Sequence, residues 1–403
     1  MNIFKRACCK TFQAIMRIAI PFMPYRKPEM IESLKLLPQL LKDKNVSSVM
    51  LVTDKSIRGL GLTKELEQDI VAAGVSLAVF DDVIPNPTIE NVENGLQVFK
   101  QNNCQSLIAF GGGSVMDCAK IIGARFVKPN KPVGKMKGLL KINKKLPLFI
   151  AVPTTAGTGS ETTLAAVITD EKTHHKYPIN DFSLIPHYAV LDYKTTVGLP
   201  AHITSTTGMD ALTHAVEAYI GKSTTKETRK MAEDAVCLIV ENLYTAYQDG
   251  KNKTARENML KAAFYAGVAF TKSYVGYVHA VAHSLGGAYG VPHGLANAVI
   301  LPHFLREYDS KCYSKLAKLA RISKLAEMQD DDATAANKFI LWIEDMNSKM
   351  NIPATIQGIK KEDIKALAQK ADKEGNPLYP VPKLMDAEEL EKMYYRIGGL
   401  EQC

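Results

Sequence analysis

Residues 106–115 read Ser106-Leu-Ile-Ala-Phe-Gly-Gly-Gly-Ser-Val115. The apolar run shows no alternation, as expected of a strand covered by helices on both faces. Three glycines follow at once, and a helix is expected from near Val115. Glycines at such a junction let backbone approach a ligand, and the free N–H groups of the helix's first turn favour an anion. Taken alone, the run fits a tight turn as well as a binding loop, because it is not G-x-G-x-x-G.

The flanking sequence repeats the pattern. Ser48-Val-Met-Leu-Val-Thr-Asp54 and Val75 to Val83 read as two earlier strands. Helices are expected over Glu32 to Lys44, Thr63 to Ala73 with Gly74 as its stop, and Thr88 to Gln101. Leu146 to Val152 and Ala189 to Asp192 are further strand candidates, and Ala165 to Ile179 reads as a hairpin. Alternating strands and helices imply right-handed crossovers and a parallel sheet. A second loop, Pro153-Thr154-Thr155-Ala156-Gly157-Thr158-Gly159-Ser160, also follows a strand end. Two such loops at strand carboxyl ends suggest a site for a diphosphate or dinucleotide. Asp54 could bind the two hydroxyls of an adenosine ribose and repel a 2′-phosphate, favouring NAD over NADP. A helix or turn cap explains Asp54 equally well.

Beyond about residue 200 the pattern turns helical, over 205–220, 226–248, 253–270, 275–288, 310–328, 333–349, 361–371 and 387–396. A chain of 403 residues exceeds one ordinary core. The expected organisation is an extension over 1–27, an α/β domain with a parallel sheet over 28–199, and an all-α domain over 200–403. The formal charge of +8 is modest. The lysines between Lys128 and Lys145 carry no interleaved aromatics, so they read as a solvated loop or a steering patch for an anionic cofactor, and not as a nucleic-acid surface. Seven cysteines without CxxC spacing suit reduced thiols in the cytoplasm.

At the amino end Phe4, Cys8, Phe12, Ile15 and Ile18 recur at helical spacing among Lys5, Arg6, Lys10 and Arg17. Charges interrupt the run well short of the ~20 apolar residues of a membrane span. An arm packed on its own protein or on a subunit partner suits residues 1–24 better than a helix lying on a membrane.

Residues 273–305 contain no Asp, Glu, Lys or Arg, yet hold His279, His283, His293 and His303. Such a stretch is expected to be buried, and imidazoles gathered there suggest a metal. Asp210 and His214 stand one helical turn apart, on a helix that Ser205, Thr206 or Thr207 would cap. His279 and His283 repeat the spacing, and His293 follows Pro292 in a glycine-rich turn. One carboxylate and three imidazoles suit Fe²⁺, Zn²⁺, Mn²⁺ or Ni²⁺. Spacing leaves the third ligand open between His279 and His283, with His303 as an outside candidate.

Together these segments resemble the iron-containing (group III) alcohol dehydrogenases. The matching text is Gly-Gly-Gly-Ser-x-x-Asp-x-Ala-Lys at 111–120, Pro-Thr-Thr-Ala-Gly-Thr-Gly-Ser-Glu at 153–161, Gly-Met-Asp-Ala-Leu-Thr-His-Ala-x-Glu at 208–217, and Gly-Tyr-Val-His-Ala-Val-Ala-His-Ser-Leu-Gly-Gly with Pro-His-Gly at 276–294. The likeness runs from about residue 28 to the end, where Gly375-Asn376-Pro377 also fits. It implies a dehydroquinate synthase-like architecture, with an N-terminal dinucleotide-binding domain, a helical metal-binding domain and a cleft between them. By motif position Asp210, His214, His279 and His293 look like the metal ligands, and His283 like a proton relay near the substrate. Asp54, Asn86, Gly112, Gly113, Ser114, Thr154, Thr155, Thr158 and Lys176 look like cofactor contacts. Phe270-Thr-Lys-Ser-Tyr274 departs from relatives that often have Asn and Ala there, and Ala165 replaces a polar residue of diol-active members, so both bear on the substrate.

The implied activity is reversible hydride transfer between NAD and a small primary alcohol or its aldehyde, with Fe²⁺ or Zn²⁺ as Lewis acid, in a cytoplasmic homodimer or larger homo-oligomer. The competing readings are a metal-dependent hydrolase or lyase, a polyol oxidoreductase similar to glycerol dehydrogenase, and a non-enzymatic nucleotide-sensing or adhesive protein.

Overall fold

In the computed structural model, which describes residues 1–172 and 175–401, nine strands form. They are β1 (Glu29–Ile31), β2 (Ser48–Val52), β3 (Ser76–Phe80), β4 (Ser106–Gly111), β5 (Gly138–Leu139), β6 (Leu148–Pro153), β7 (Ala165–Asp170), β8 (His175–Asn180) and β9 (Tyr188–Val190). Six of them make a sheet in the order β1-β9-β6-β4-β2-β3, with every pairing parallel. Every residue of β2 and β4 is buried, because helices cover both faces. Met50 and Val52 point into one core with the Ile89–Gln101 and Gly113–Val127 helices, and Val49 and Leu51 into the other with Leu37, Leu41, Leu66 and Ile70. This two-sided burial explains why these strands carry no polar alternation.

β7 and β8 are antiparallel, as the hairpin reading requires, although positions 173 and 174 at its turn lie outside the described residues. Cys403 also lies outside them. The edge strand β1, paired with β9, was not expected: it is three residues long, charged and mostly exposed, so it leaves no apolar run to read. The helix expected from Glu32 starts late, at Leu37–Asp43 behind a 3₁₀ turn, because Pro38 prefers a helix's first turn.

The chain divides into two compact units, one formed by Pro24–Gly198 and the other by Met1–Met23 with the chain from Leu199 onward. The amino-terminal segment is therefore not a separate extension. Its Ile3–Ala19 helix packs on the helical unit, where Gln13 Nε2 donates to the Tyr379 carbonyl at 2.7 Å and Lys5 pairs with Asp372. The described residues of this unit contain no strand.

Two local expectations fail there. The Ala201–Ile220 helix begins before Ser205, Thr206 and Thr207, whose hydroxyls donate back to the carbonyls of His202 and Ile203 and cap nothing. His293 opens a 16-residue helix, His293–Tyr308, where a turn was expected. Pro292 is its N-cap and Pro302 lies inside it, so residues that usually break helices conceal this one. Gly294 is required at its start: a Cβ there would lie 2.6 Å from the Thr206 carbonyl oxygen.

Candidate active site: nucleotide loops and a histidine–carboxylate cluster

Within the α/β unit, β3 and β4 lie on opposite sides of β2, so the strand order reverses between β2 and β4. Ligands of open parallel sheets bind outside the carboxyl ends of strands at such a switch point. Asp54 follows β2 and Gly112 follows β4. Asp54 Oδ1 accepts from the Ile57 amide at 2.9 Å and so caps the short Lys55–Gly59 helix, as the cap reading held. Gly112 is the N-cap of Gly113–Val127 and no side chain caps that helix. A Cβ on Gly112 would approach Thr155, and one on Gly113 would lie 3.5 Å from Thr158, so the two loops lie against each other. Asn86 donates its amide to Ser114 Oγ at 3.3 Å, and Lys176 Nζ donates to Asn86 Oδ1 at 2.8 Å. Thr154 is tied to Gly111 through its amide, and Thr155 Oγ1 is buried without a hydrogen-bond partner among the described residues. Uncapped amides, a buried hydroxyl and side-chain-free backbone fit a diphosphate.

Lys120 organises the second loop from beneath, a role the sequence reading missed. It is fully buried, and its Nζ donates to the carbonyls of Ser160, Thr163 and Ala165 and to the hydroxyls of Ser160 and Thr163, at 2.8 to 3.1 Å. Asp117 joins the same frame, accepting from Ser160 Oγ at 3.1 Å and the Val167 amide at 3.0 Å. Burial pulls the Lys120 ammonium down to about 8, against the charges of Asp117 and Glu161. Burial likewise pushes Glu161 up to about 7. The available signal was a lysine in an otherwise apolar helical run, Cys118 to Ala124.

In the helical unit Asp210, His214, His279 and His293 each present one donor atom, and all four atoms lie within 4.8 Å of one another. The His293 Nε2 to Asp210 Oδ1 distance is 3.5 Å and that of His279 Nε2 is 4.0 Å. A divalent ion bonded to nitrogen and oxygen at about 2.1 Å needs donor separations of about 3.4 Å, which these pairs approach. Three of the lone pairs converge on one amide, since Asn297 Nδ2 donates to Asp210 Oδ1 at 2.6 Å and lies 3.2 and 3.1 Å from His279 Nε2 and His293 Nε2. Acceptors aimed at one point fit a cation.

Glu217 sets the orientation of His279. Its buried carboxylate accepts from His279 Nδ1 at 2.6 Å and from the Gly276 and Val278 amides at 2.9 Å. The bond assigns the ring proton to Nδ1 and leaves Nε2 as a donor of electrons. Burial pushes the Glu217 carboxyl up to about 7, against the backbone amides of Gly276, Val278 and His279, and burial holds His279 well below its ordinary value. Gly276 makes this approach possible, since a Cβ there would lie 2.5 Å from Glu217 Oε1. Glu217 and Asn297 were missed, although both stand at readable spacings: Asp210, His214 and Glu217 fall on one helix face, and Asn297 lies one turn after His293.

His214 stacks on Phe270 at 4.1 Å and on His279 at 4.5 Å. His283 lies beside the four, its ring stacked on His293 at 5.2 Å, and it bonds Glu374 through Nδ1 at 2.7 Å. Burial works against the Glu374 carboxylate, yet His283 and the Tyr379 hydroxyl hold its pKa below the ordinary value. His303 stands elsewhere, bonded to the Ala354 carbonyl. The charge-free stretch is not uniformly buried: His283 and His293 are exposed and residues 286–295 are not core.

A parallel-sheet nucleotide unit and a helical unit with a histidine–carboxylate cluster define a metal-dependent dehydrogenase class. Residues 31–193 match the family described as iron-containing alcohol dehydrogenase, and residues 204–398 match the C-terminal Fe-containing alcohol dehydrogenase family. The chain belongs to the iron-containing alcohol dehydrogenases and is an alcohol oxidoreductase of that type. It is 38% identical over 339 residues to the NAD-dependent methanol dehydrogenase of Bacillus methanolicus, covering 82% of this chain and 87% of that one. The 1,3-propanediol dehydrogenase of Klebsiella pneumoniae is 37% identical, covering 89% and 92%. A crystal structure of 1,3-propanediol oxidoreductase superposes with a TM-score of 0.88 at 35% identity, over 93% of this chain and 99% of that one.

Proposed function

We propose that this dehydrogenase transfers hydride reversibly between NAD and a small primary alcohol or its aldehyde, and that Asp210, His214, His279 and His293 hold one divalent cation, Fe²⁺ before Zn²⁺. The observation that carries this reading is the convergence of those four donors, with Glu217 fixing one of them. When bound, such an ion supplies Lewis acidity that lowers the pKa of a hydroxyl oxygen, by as much as from about 15.7 to about 7 for water on zinc.

The chain's own residues do the rest. His214, His279 and Asp210 keep their donors aimed by burial, stacking and hydrogen bonds. His283 takes the alcohol's proton at Nε2 while Glu374 bears on Nδ1, and its exposed ring passes the proton to solvent. In the α/β unit the amides following Gly112, with Gly113, Ser114, Thr154, Thr155 and Thr158, receive the diphosphate, and Asn86 and Lys176 close the same region. Asp54 accepts from the ribose hydroxyls through the oxygen not used in capping, and its charge opposes a 2′-phosphate. The names of the relatives, methanol and 1,3-propanediol dehydrogenases, support a small primary alcohol. A relative from Clostridium saccharobutylicum at 32% identity is named an NADPH-dependent butanol dehydrogenase, so the preference for NAD rests here on Asp54. The working form is a cytoplasmic homodimer or larger homo-oligomer.

The test is a panel of alcohols and aldehydes with NAD and NADP, on protein stripped of metal and reloaded with Fe²⁺ or Zn²⁺. Nicotinamide reduction with short primary alcohols, restored by metal and faster with NAD, is the expected result. Turnover unaffected by stripping overturns the metal assignment, and hydrolysis without nicotinamide reduction returns the hydrolase reading.

A further inference from the structure

The Ile3–Ala19 helix carries three stripes; one of them packs on the helical unit, and Lys5 beside it pairs with Asp372. Cys9, Gln13, Met16 and Ile20 form the docked stripe: Cys9 and Ile20 are 2% and 3% exposed, and Gln13 is bonded to Tyr379. On the far side Phe4, Cys8, Ile15 and Ile18 share one helical face, interrupted only by Thr11, and Phe22 of the following 3₁₀ turn extends it. These residues face solvent, with Phe4 at 80%, Ile15 at 60%, Ile18 at 71% and Phe22 at 85% exposure. Arg6, Lys10 and Arg17 form the third stripe along one flank, and Lys5 lies on the other.

An isolated exposed apolar residue needs no explanation, but four at one helical spacing, edged by cations, do. Residues 1–28 include six Lys or Arg and no Asp or Glu. Acidic groups meet the helix only at its start, where Asp386 and Glu389 face the Met1 amino group and Asp372 pairs with Lys5, while the surroundings of Lys10 and Arg17 are positive. After burial, the charges of Lys10 and Lys311 depress the Lys222 pKa, and Arg17 with Arg229 and Lys222 acts in the same direction on Lys315. A second copy laying the same face against this one would bring two cationic stripes together. An anionic lipid surface complements the pattern: the apolar stripe enters the acyl boundary while the long Lys and Arg side chains reach the headgroups.

We propose that this helix is an in-plane docking surface for a membrane bearing anionic phospholipids. No helix among the described residues is long and apolar enough to cross a membrane, so the attachment is peripheral. One amphipathic face and a few cations give reversible binding, and each cation near the surface contributes about fivefold in affinity.

Sedimentation of the full-length protein with vesicles tests this, using phosphatidylcholine alone and an equimolar mixture with phosphatidylglycerol. The wild type is expected to sediment with the mixed vesicles, to stay in solution with the neutral ones, and to be released by salt. Ile15→Glu with Ile18→Glu should abolish binding, and Lys10→Glu with Arg17→Glu should weaken it more than about twentyfold. All four side chains are exposed, so unchanged alcohol oxidation in solution verifies that each variant is folded. Wild type remaining in solution with both vesicles overturns the proposal. So does equal binding to both, or a doubled variant that changes the oligomeric mass by light scattering while vesicle binding persists, which would make the face an interface between copies.

Discussion

The nucleotide loops and the histidine cluster build specificity from different materials. In the α/β unit the groups proposed to recognise the cofactor are backbone amides, hydroxyls and side-chain-free backbone at Gly112 and Gly113, held from below by one buried lysine. In the helical unit the proposed recognition of the metal rests on four side chains, aimed in turn by other side chains such as Glu217 and Asn297. The first arrangement should tolerate most side-chain changes at its rim and fail through its internal peg. The second has no redundancy.

Removing a donor from the cluster should have the largest effect. His214→Ala or Asp210→Ala is expected to lose bound metal, read by elemental analysis, and to lower kcat/KM by more than about a hundredfold, because even an outer partner of a ligand costs about 10–100-fold. Metal content equal to wild type would break the comparison at its root. Lys120→Met should come next, leaving five acceptors without a donor; we expect a loss of about 3 kcal/mol in chemical denaturation and weaker NAD binding, with metal content unchanged.

Glu217→Gln separates orientation from ligation. Metal affinity should fall about tenfold or somewhat more while the metal still binds. A pH series on Glu161 probes the α/β unit alone. Its carboxyl is raised from 4.5 to about 7, so the folded chain retains a proton that the unfolded chain releases in that window. The contribution of Glu161 to stability is full below the lower value and is lost as pH rises through the upper one. Glu161→Gln should therefore gain about 3 kcal/mol on wild type at pH 8 and less than about 1 kcal/mol at pH 5, read from denaturation midpoints. A gain independent of pH would contradict the assignment. The smallest effect belongs to Asp54→Asn, which keeps the helix cap: stability should change by a few tenths of a kcal/mol at most, while the NADP to NAD ratio of kcat/KM rises about tenfold.

Much of this was legible from the chain. The central strands are fully buried and so appear as unbroken apolar runs, and the two loops after β4 and β6 declare themselves through glycine and threonine. Motif position points to all four donors of the cluster, whereas spacing alone leaves the third imidazole open between His279 and His283, with His303 as an outside candidate. What escaped reading has physical causes. The His293–Tyr308 helix hides behind two prolines and Gly294, because a helix that begins against another backbone needs residues that resemble a turn. Strand β1 is too short and too charged to show a pattern. Lys120 and Glu217 each stand as one charge in an apolar helical segment, and only packing shows which groups enclose them.

One thread of bonds has a practical consequence. Gln13 grips the Tyr379 carbonyl, the Tyr379 hydroxyl donates to Glu374 Oε1 at 2.8 Å, and the same oxygen bonds His283. The first helix thus braces, at two removes, the imidazole proposed for proton transfer. Trimming that helix, or displacing it with a bulky fusion, should slow turnover and distort its pH profile even in a test tube free of lipid, so purification handles belong elsewhere on the molecule.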